Sequence, residues 1–340
     1  MPAMCYTEAK HPHIQKEQDE AMIHHFLINP AAGKGTYTEA LARKITRACQ
    51  SRGVNYRIHT TTRPYDATDY VREQVANTSE MHRFYACGGD GTFSETVNGA
   101  PMAPNAEFGL IPIGTGNDFE RNFTGFDNFF DIERQLDGRA VRLDAMRCND
   151  RFAFNVINVG FDSNVAKKTG EIKRSPLVPT GLAYSAALAI TLCKPFGTTM
   201  EVELDDGSVI RDKLLLVAIA NGGFYGGGFH AAPRASLTDG LLDLCIVNKV
   251  SRAKFIGLVG SYKAGTHLKN EKAKNIIRYH QTPRVTLHFD SPVGVCIDGE
   301  VEMNDVARIE VIPRAFAFSI PDGSALASET DAAVKEGATI

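Results

Sequence analysis

An α/β half followed by a β-rich half is the fold that the sequence predicts, and three observations carry it. From His24 to about Asp144, strand-like and helix-like stretches alternate. After Asp144 nearly every stretch reads as strand, broken by Gly, Asp and Pro turns. At 340 residues the chain is long enough for two ordinary domains, each with its own core. The expected boundaries are 22–145 for the α/β part, 146–321 for the β-rich part, and 322–340 for a loose tail of small and polar residues.

The elements follow in order. HHFLIN reads as a strand, and TEALARKITRACQSRG carries apolar residues at helical spacing. NYRIHTT is a second strand, YDATDYVREQVA a helix, RFYAC a third strand, TFSETVNGA a helix and EFGLIPIG a further strand. Such alternation argues for a largely parallel sheet covered by helices, with ligands expected at the strands' C-terminal ends. Beyond Asp144, seven strands are expected: RFAFNVINVGFDS, TTMEVELDDG, VIRDKLLLVAIANGG, LLDLCIVNKV, PRVTLHFDS, VGVCIDGEVE and ARIEVIPRAFAFSI. They predict a mostly antiparallel sandwich. Helices are expected over Thr180–Cys193 and around Lys254–Ala264.

The bulk numbers exclude several classes. A net charge of -3 exerts no global pull toward nucleic acid or an anionic membrane. The seven cysteines stand singly with no C-x-x-C pair, which argues against a disulfide framework or zinc site and for a reducing cytoplasm. The first twenty-two residues lack the apolar segment of a signal peptide, and Leu182–Cys193 is too short to span a bilayer. Any membrane contact is therefore expected from the surface.

Four loops carry the chemistry. Asn29–Thr36 (NPAAGKGT) is not a Walker A loop, because Ile28 stands where its first Gly belongs and Gly35 where Ser or Thr follows the Lys. A plain strand–helix turn and a phosphate contact both fit it. Gly88–Thr92 (GGDGT) lets backbone approach a ligand closely at the start of a helix, where amides and the dipole favour phosphate. Thr92 with Glu95 fits a capping box there, but a cap leaves Asp90 unexplained. Pro112–Arg121 (PIGTGNDFER) places Thr115 and Asp118 in another loop after a strand, open to a helix cap or a ligand. Cys296–Glu302 (CIDGEVE) reads first as an Asp-Gly hairpin turn.

Taken together, NPAAGKG, GGDGTFSETVNG, PIGTGNDFER, NGGFYGGGF, LTDGLLDL and IDGE, in this order from about His24 to Pro321, resemble the diacylglycerol kinase catalytic family. The closer likeness is to the soluble bacterial diacylglycerol/lipid kinases, relatives of sphingosine kinases. The resemblance implies an α/β nucleotide domain similar to those of phosphofructokinase and NAD kinase, a β-sandwich domain, and an active site between them. It implies transfer of the ATP γ-phosphoryl group to a lipid hydroxyl, with diacylglycerol the expected acceptor. It places Asn29, Pro30, Ala31, Ala32, Gly33, Thr61, Gly88, Gly89, Asp90, Gly91, Thr92, Phe93, Ser94, Thr115 and Glu300 around ATP, and makes Asp298 the general base. Asp90 would serve the Mg²⁺ that arrives with ATP. A second, structural Mg²⁺ would take the side chain of Asp239 and the carbonyls of Ser236 and Leu241, with Asp118 and Asp144 linking it to the active site through waters. An Asp-Gly turn explains Asp239 equally well without a metal.

The acceptor side is thinly recorded. Between Lys249 and Arg278 stand eight Lys or Arg against one acidic residue, Glu271, which fits a solvated face or attraction to anionic headgroups equally. The expected setting is cytoplasmic, with transient contact at the inner membrane face. Family members are often dimers, and these residues mark no interface. Two rival readings remain: another phosphoryl acceptor, as in NAD kinase, which shares GGDGT, or a catalytically silent nucleotide-binding protein. GTGNDF, YGGGF and IDGE favour the lipid branch over the first, and the retained acidic positions speak against the second.

Overall fold

The computed structural model describes residues 22–33, 38–76, 78–161, 163–165, 168 and 197–327. Elements are numbered here in chain order among those residues. The N-terminal part contains β1 (Met22–Ile28), α1 (Thr38–Arg52), β2 (Asn55–Thr60), α2 (Asp66–Ala76), β3 (Met81–Gly88), α3 (Asp90–Asn98) and β4 (Ala106–Pro112). The strands pair in parallel in the order β2-β1-β3-β4. β1 is buried along its whole length and β3 along nearly all of it, as expected for central strands covered on both faces. On one face Phe84, Phe93, Phe108, Phe316 and Phe318 form an aromatic core; on the other, Phe26, Ile45, Cys49 and Tyr85 pack together.

After a 3₁₀ turn (Phe119–Asn122) and α4 (Ile132–Leu136), β5 (Arg139–Cys148) leads toward the β-rich part and runs through the expected boundary at 145/146. The strands that follow are β6 (Arg151–Ala153), β7 (Val156–Gly160), β8 (Thr198–Leu204) and β9 (Val209–Ala220). Next come the short β10 (Phe224–Tyr225) and β11 (Phe229–His230), then β12 (Leu242–Asn248), α5 (Arg252–Lys263), β13 (Ile277–Thr282), β14 (Arg284–Ile297) and β15 (Glu300–Ile320). Their pairings are antiparallel, and Ile157, Val159, Val217, Ile219, Val295 and Ile309 fill one core. A second core lies on the other face, under α5.

β15 joins the two parts. Its first half pairs antiparallel with β14, while Ala317 and Phe318 pair in parallel with Glu107 and Phe108 of β4. The β5–β15 register shifts between Ile312 and Phe316, at Pro313 and at Arg314, whose φ is 54°. Proline cannot donate to the ladder, so it sits at this irregularity.

The predicted fold, α/β followed by a β-sandwich, is the fold observed. Individual strands differ from expectation. PRVTLHFDS and VGVCI form one strand, β14, whose register shifts between His288 and Val293. EVE and ARIEVIPRAFAFSI likewise join as β15. β5, β13 and the β10–β11 pair are additions, and the helix expected around Lys254–Ala264 is α5. The helix expected over Thr180–Cys193 lies outside the described residues. The five described cysteines, at 49, 87, 148, 245 and 296, are buried and form no disulfide with one another.

Candidate active site

Three loops meet at the C-terminal end of the parallel sheet. Asn29, just past β1, accepts the Ala31 N–H on its side-chain oxygen (2.9 Å) and donates Nδ2 to Thr92 Oγ1 (2.9 Å). One side chain thus shapes the first loop and ties it to the second. Pro30 and Ala31 are exposed, Ala32 and Gly33 half-exposed, and Gly33 has a φ of 63°. Thr61, buried after β2, donates its N–H to the carbonyl of Ile28 (2.9 Å).

In the GGDGT loop Gly88 and Gly89 answer to close contacts, while Gly91 faces open space. A Cβ on Gly88 would lie 2.2 Å from Thr92 Oγ1, and one on Gly114 would lie 2.4 Å from the Cα of Gly89. The Gly114 N–H bonds to the Gly88 carbonyl (3.1 Å), so the second and third loops touch backbone to backbone. Gly89 is the N-cap of α3 and supplies no side-chain cap. The expected Thr92–Glu95 capping box is therefore absent. The helix starts earlier than that reading required, at Asp90, which leaves Thr92 within its first turn, bonded to Asn29, while Glu95 accepts the Tyr65 N–H (3.0 Å). Gly91 is exposed, Thr115 is exposed, and Ser94 is buried. The Phe93 ring lies in the aromatic core 4.4 Å from that of Phe119, out of reach of a ligand at the loops.

Asp90 has its carboxyl enclosed although the residue is partly exposed. Oδ1 accepts the N–H groups of Asp118 (2.8 Å) and Phe119 (3.0 Å), which fixes the third loop against the second. Oδ2 points toward Gly116, where a Cβ would approach it to 3.0 Å. Burial raises the Asp90 pKa, partly offset by these N–H donors.

Asp118 turns toward the β-rich part. Its Oδ2 accepts the Gly227 N–H (2.8 Å) and its Oδ1 the Gly228 N–H (2.7 Å). Gly226, Gly227 and Gly228 all have positive φ, a run that leaves successive N–H groups converging on one anion. Burial and then the charge of Asp90 push the Asp118 pKa up to about 6.

Asp298 occupies the two-residue turn between β14 and β15. Both turn residues have positive φ (Asp298 44°, Gly299 95°), so the Asp-Gly hairpin expected there forms with the backbone sense such hairpins need. The side chain also reaches the start of β7: Oδ2 accepts from the Phe154 N–H (2.7 Å), and Oδ1 from those of Asn155 and Val156 (3.1 Å each). Burial lifts its pKa to about 6 against the pull of these donors, and the charge of Asp90 adds to the rise. A carboxylate offers about four acceptor positions, so among the described residues one, on Oδ2, remains.

Glu300 faces the α/β part. Its Oε2 accepts the Tyr65 hydroxyl (3.3 Å) and pairs with Arg151 (2.5 Å). Farther off, Ser236, Asp239 and Leu241 share one loop leading into β12. The Leu241 N–H bonds to Asp239 Oδ1 (3.0 Å), and Ser236 Oγ lies 3.3 Å from Thr238 Oγ1. Asp144 secures that loop by accepting the N–H of Gly240 (2.8 Å), and holds the β15 irregularity by accepting that of Arg314 (2.7 Å). Burial and then Asp144 raise the Asp239 pKa. Among the described residues no hydrogen bond joins Asp118 to Asp144.

Two residues in this region escaped the sequence reading. Arg121 lies 3.4 Å from Asp118 and opposes the raised pKa values of Asp90, Asp118 and Glu120. Glu120 is wholly buried, and neither carboxyl oxygen has a hydrogen-bond partner. Burial, then Asp90, push its pKa up to about 9. The glycine triplet of YGGGF was the legible signal for Asp118's anchor; nothing in NDFER separates Glu120 from a surface residue.

The arrangement gathers carboxylates against one guanidinium, beside loop amides at a helix N-terminus. Carboxylates beside a bound phosphate would together demand a hard divalent cation. Among the described residues no group of three or more His, Cys, Asp or Glu could hold a metal unaided, so such a cation would rely on phosphate, carbonyl and water oxygens.

Comparison with known proteins covers most of the chain. Residues 24–148 match the diacylglycerol kinase catalytic domain, and residues 155–319 match the YegS C-terminal NAD kinase beta sandwich-like domain. The diacylglycerol kinase of Bacillus subtilis is 29% identical over 305 residues, covering 87% of this chain and 98% of that protein. A probable YegS-like lipid kinase of Shewanella frigidimarina is 28% identical over 269 residues, covering 75% and 81%. A crystal structure of a diacylglycerol kinase from Bacillus anthracis shares the fold with a TM-score of 0.65 at 20% identity, covering 89% of this chain and 97% of that one.

Proposed function

The chain belongs to the diacylglycerol kinase catalytic family and is a lipid kinase, and on that premise we propose that it transfers the γ-phosphoryl group of ATP to diacylglycerol, giving phosphatidic acid. One observation supports the assignment most: an enclosed carboxylate, Asp298, feels the charge of Asp90 and is held by three backbone N–H groups with one acceptor position left over. That position suits a substrate hydroxyl.

In this reading Asn29–Gly33, Thr61, Gly88–Ser94 and Thr115 surround ATP. Phe93 and Ser94 would contribute backbone and packing, because both side chains are buried. The α3 amides receive phosphate. Asp90 Oδ2, with waters, would hold Mg²⁺, which would supply neutralising charge for the transferring phosphoryl group. Asp118 keeps the β-rich part in register with Asp90 by holding Gly227 and Gly228. Glu300, through Tyr65 and Arg151, fixes the far side of the nucleotide. Ser236, Asp239 and Leu241 offer the hard oxygen donors of a second Mg²⁺ site, steadied by Asp144.

Asp298 takes the proton of the lipid hydroxyl as its oxygen bonds to the γ-phosphorus, and ADP leaves with the electron pair of the broken P–O bond. A pKa of about 6 leaves this base ionised at pH 7 yet more basic than an exposed aspartate. Such a base contributes about 10²–10⁴-fold. Membrane contact is from the surface in this reading, since no helix among the described residues is long and apolar enough to cross a bilayer. The test is incubation with labelled ATP, Mg²⁺ and mixed micelles of diacylglycerol, sphingosine or phosphatidylglycerol, with NAD in parallel. Labelled phosphatidic acid is the expected product; label only in another lipid or in NADP contradicts the acceptor assignment.

A further inference from the structure

Pro64 confines Arg63 to extended backbone, and Tyr65 follows as the last residue before α2. That position usually carries Ser, Thr, Asp or Asn, whose short side chain caps the first helix amides. A tyrosine side chain cannot, and here its φ is 62°. Among the described residues, five other than glycine have positive φ. Asn117, Asn149 and Asp298 are types that tolerate it, and Arg314 sits at the β15 irregularity, held by Asp144. Tyr65 is the one left. A bulky side chain on left-handed backbone is strained, and such strain persists where the surroundings hold it, most often at ligand sites.

Two carboxylates hold Tyr65. Its N–H donates to Glu95 Oε2 (3.0 Å) on α3, and its hydroxyl to Glu300 Oε2 (3.3 Å) at the start of β15. Arg151 pairs with that same Glu300 oxygen (2.5 Å) and fixes it in turn. Tyr65 therefore reaches from the helix that opens in the GGDGT loop to the strand that follows Asp298 and Gly299. The loop carrying it begins at Thr61, which bonds to Ile28 beside Asn29. Despite these ties Tyr65 is 50% exposed. Its N–H and hydroxyl are both occupied, so the group it offers outward is the ring. A nucleotide whose phosphates sit on the α3 amides must place its heterocycle elsewhere along the same loops. A fixed, exposed aromatic ring bordering them offers a π-face on which a base can stack.

We propose that Tyr65 is the stacking platform for the purine of the phosphoryl donor, with Glu95 and Glu300 holding its ring in place. This rests on the reading of the chain as an ATP-dependent kinase and adds the residue that contacts the base.

The test needs no acceptor. Calorimetry with Mg²⁺ compares ATP with ribose 5-triphosphate, which has the phosphates without the base, on wild type, Tyr65→Asn and Tyr65→Phe. Asn removes the ring yet accepts left-handed backbone, so the loop is kept. Tyr65→Asn should bind ATP about tenfold more weakly, with its affinity for ribose 5-triphosphate within about twofold of wild type. Tyr65→Phe keeps the ring and gives up the Glu300 bond, and should bind ATP within about threefold of wild type. ATP affinity unchanged in Tyr65→Asn overturns the proposal. So does an equal loss in Tyr65→Phe, or a Tyr65→Asn protein that loses both ligands in step, since Tyr65 would then be a structural tie alone. Wild-type protein that binds no ATP contradicts the kinase reading instead, so the two failures are distinguishable.

Discussion

Glu120→Gln is expected to stabilise the protein above neutral pH. Glu120 is fully buried, neither carboxyl oxygen is bonded, and its pKa is pushed from 4.5 to about 9, first by burial and then by Asp90. The folded state therefore keeps its proton where the unfolded chain has released it. For an acid with a raised folded pKa, this contribution to stability is fully present below pH 4.5 and is lost as pH rises to about 9. Each pH unit in that window costs about 1.4 kcal/mol, which sets a ceiling of about 5 kcal/mol at pH 8. Relaxation of the interior reduces this to about 2–3 kcal/mol. Gln has nearly the same shape and is neutral in both states, so it removes the linkage. Thermal melts of the two proteins across pH should show Glu120→Gln about 5 °C or more above wild type at pH 8, converging toward pH 5. A variant that melts at or below wild type at pH 8, or a gap independent of pH, would refute the reasoning.

Three further outcomes follow from the same geometry. Gly114→Ala sets a methyl 2.4 Å from the Cα of Gly89, a backbone atom with no flexible end to yield, so the loops must part. The expected loss is about 1–3 kcal/mol, with a KM for ATP raised by about tenfold or more; wild-type kinetics would show that the loops need not touch. Asp118→Asn leaves Gly227 or Gly228 with an unbonded N–H and should cost about 1–3 kcal/mol, read by denaturant unfolding. Activity should fall as pH drops through about 6, because Asp298 must be ionised to accept the proton, while Asp118 titrates nearby and both feel Asp90. That limb belongs to the coupled group, and a flat profile down to pH 5 would count against a carboxylate base.

The α/β half was legible because each element declares itself locally. Period-3.6 stretches and short apolar runs, separated by glycine loops, gave every helix and strand from β1 to β4 to within a few residues. The strands missed later depend on partners. β13 is half-buried along most of its length and exists because β12 offers it an edge, and β15 continues past Pro313 because β4 and β5 await it. The site divides the same way. GGDGT, GTGND and IDGE could be read as loops, but the Asp118–Gly228 and Asp298–Phe154 bonds join residues more than a hundred positions apart. The capping box failed because the helix starts at Asp90 with Gly89 as its cap, leaving Thr92 inside the first turn, where Asn29, distant in sequence, bonds it. Glu120 was invisible because its burial is a tertiary property.

The central claim is that Asp298 is the base and the Gly88–Thr92 region the donor's site. It is tested most directly by measuring Mg·ATP binding and phosphoryl transfer to diacylglycerol on the same Asp298→Asn preparation. The account predicts that transfer falls about 10²-fold or more while ATP affinity stays close to wild type. Transfer near the wild-type rate, or ATP binding lost in step with it, would contradict the assignment.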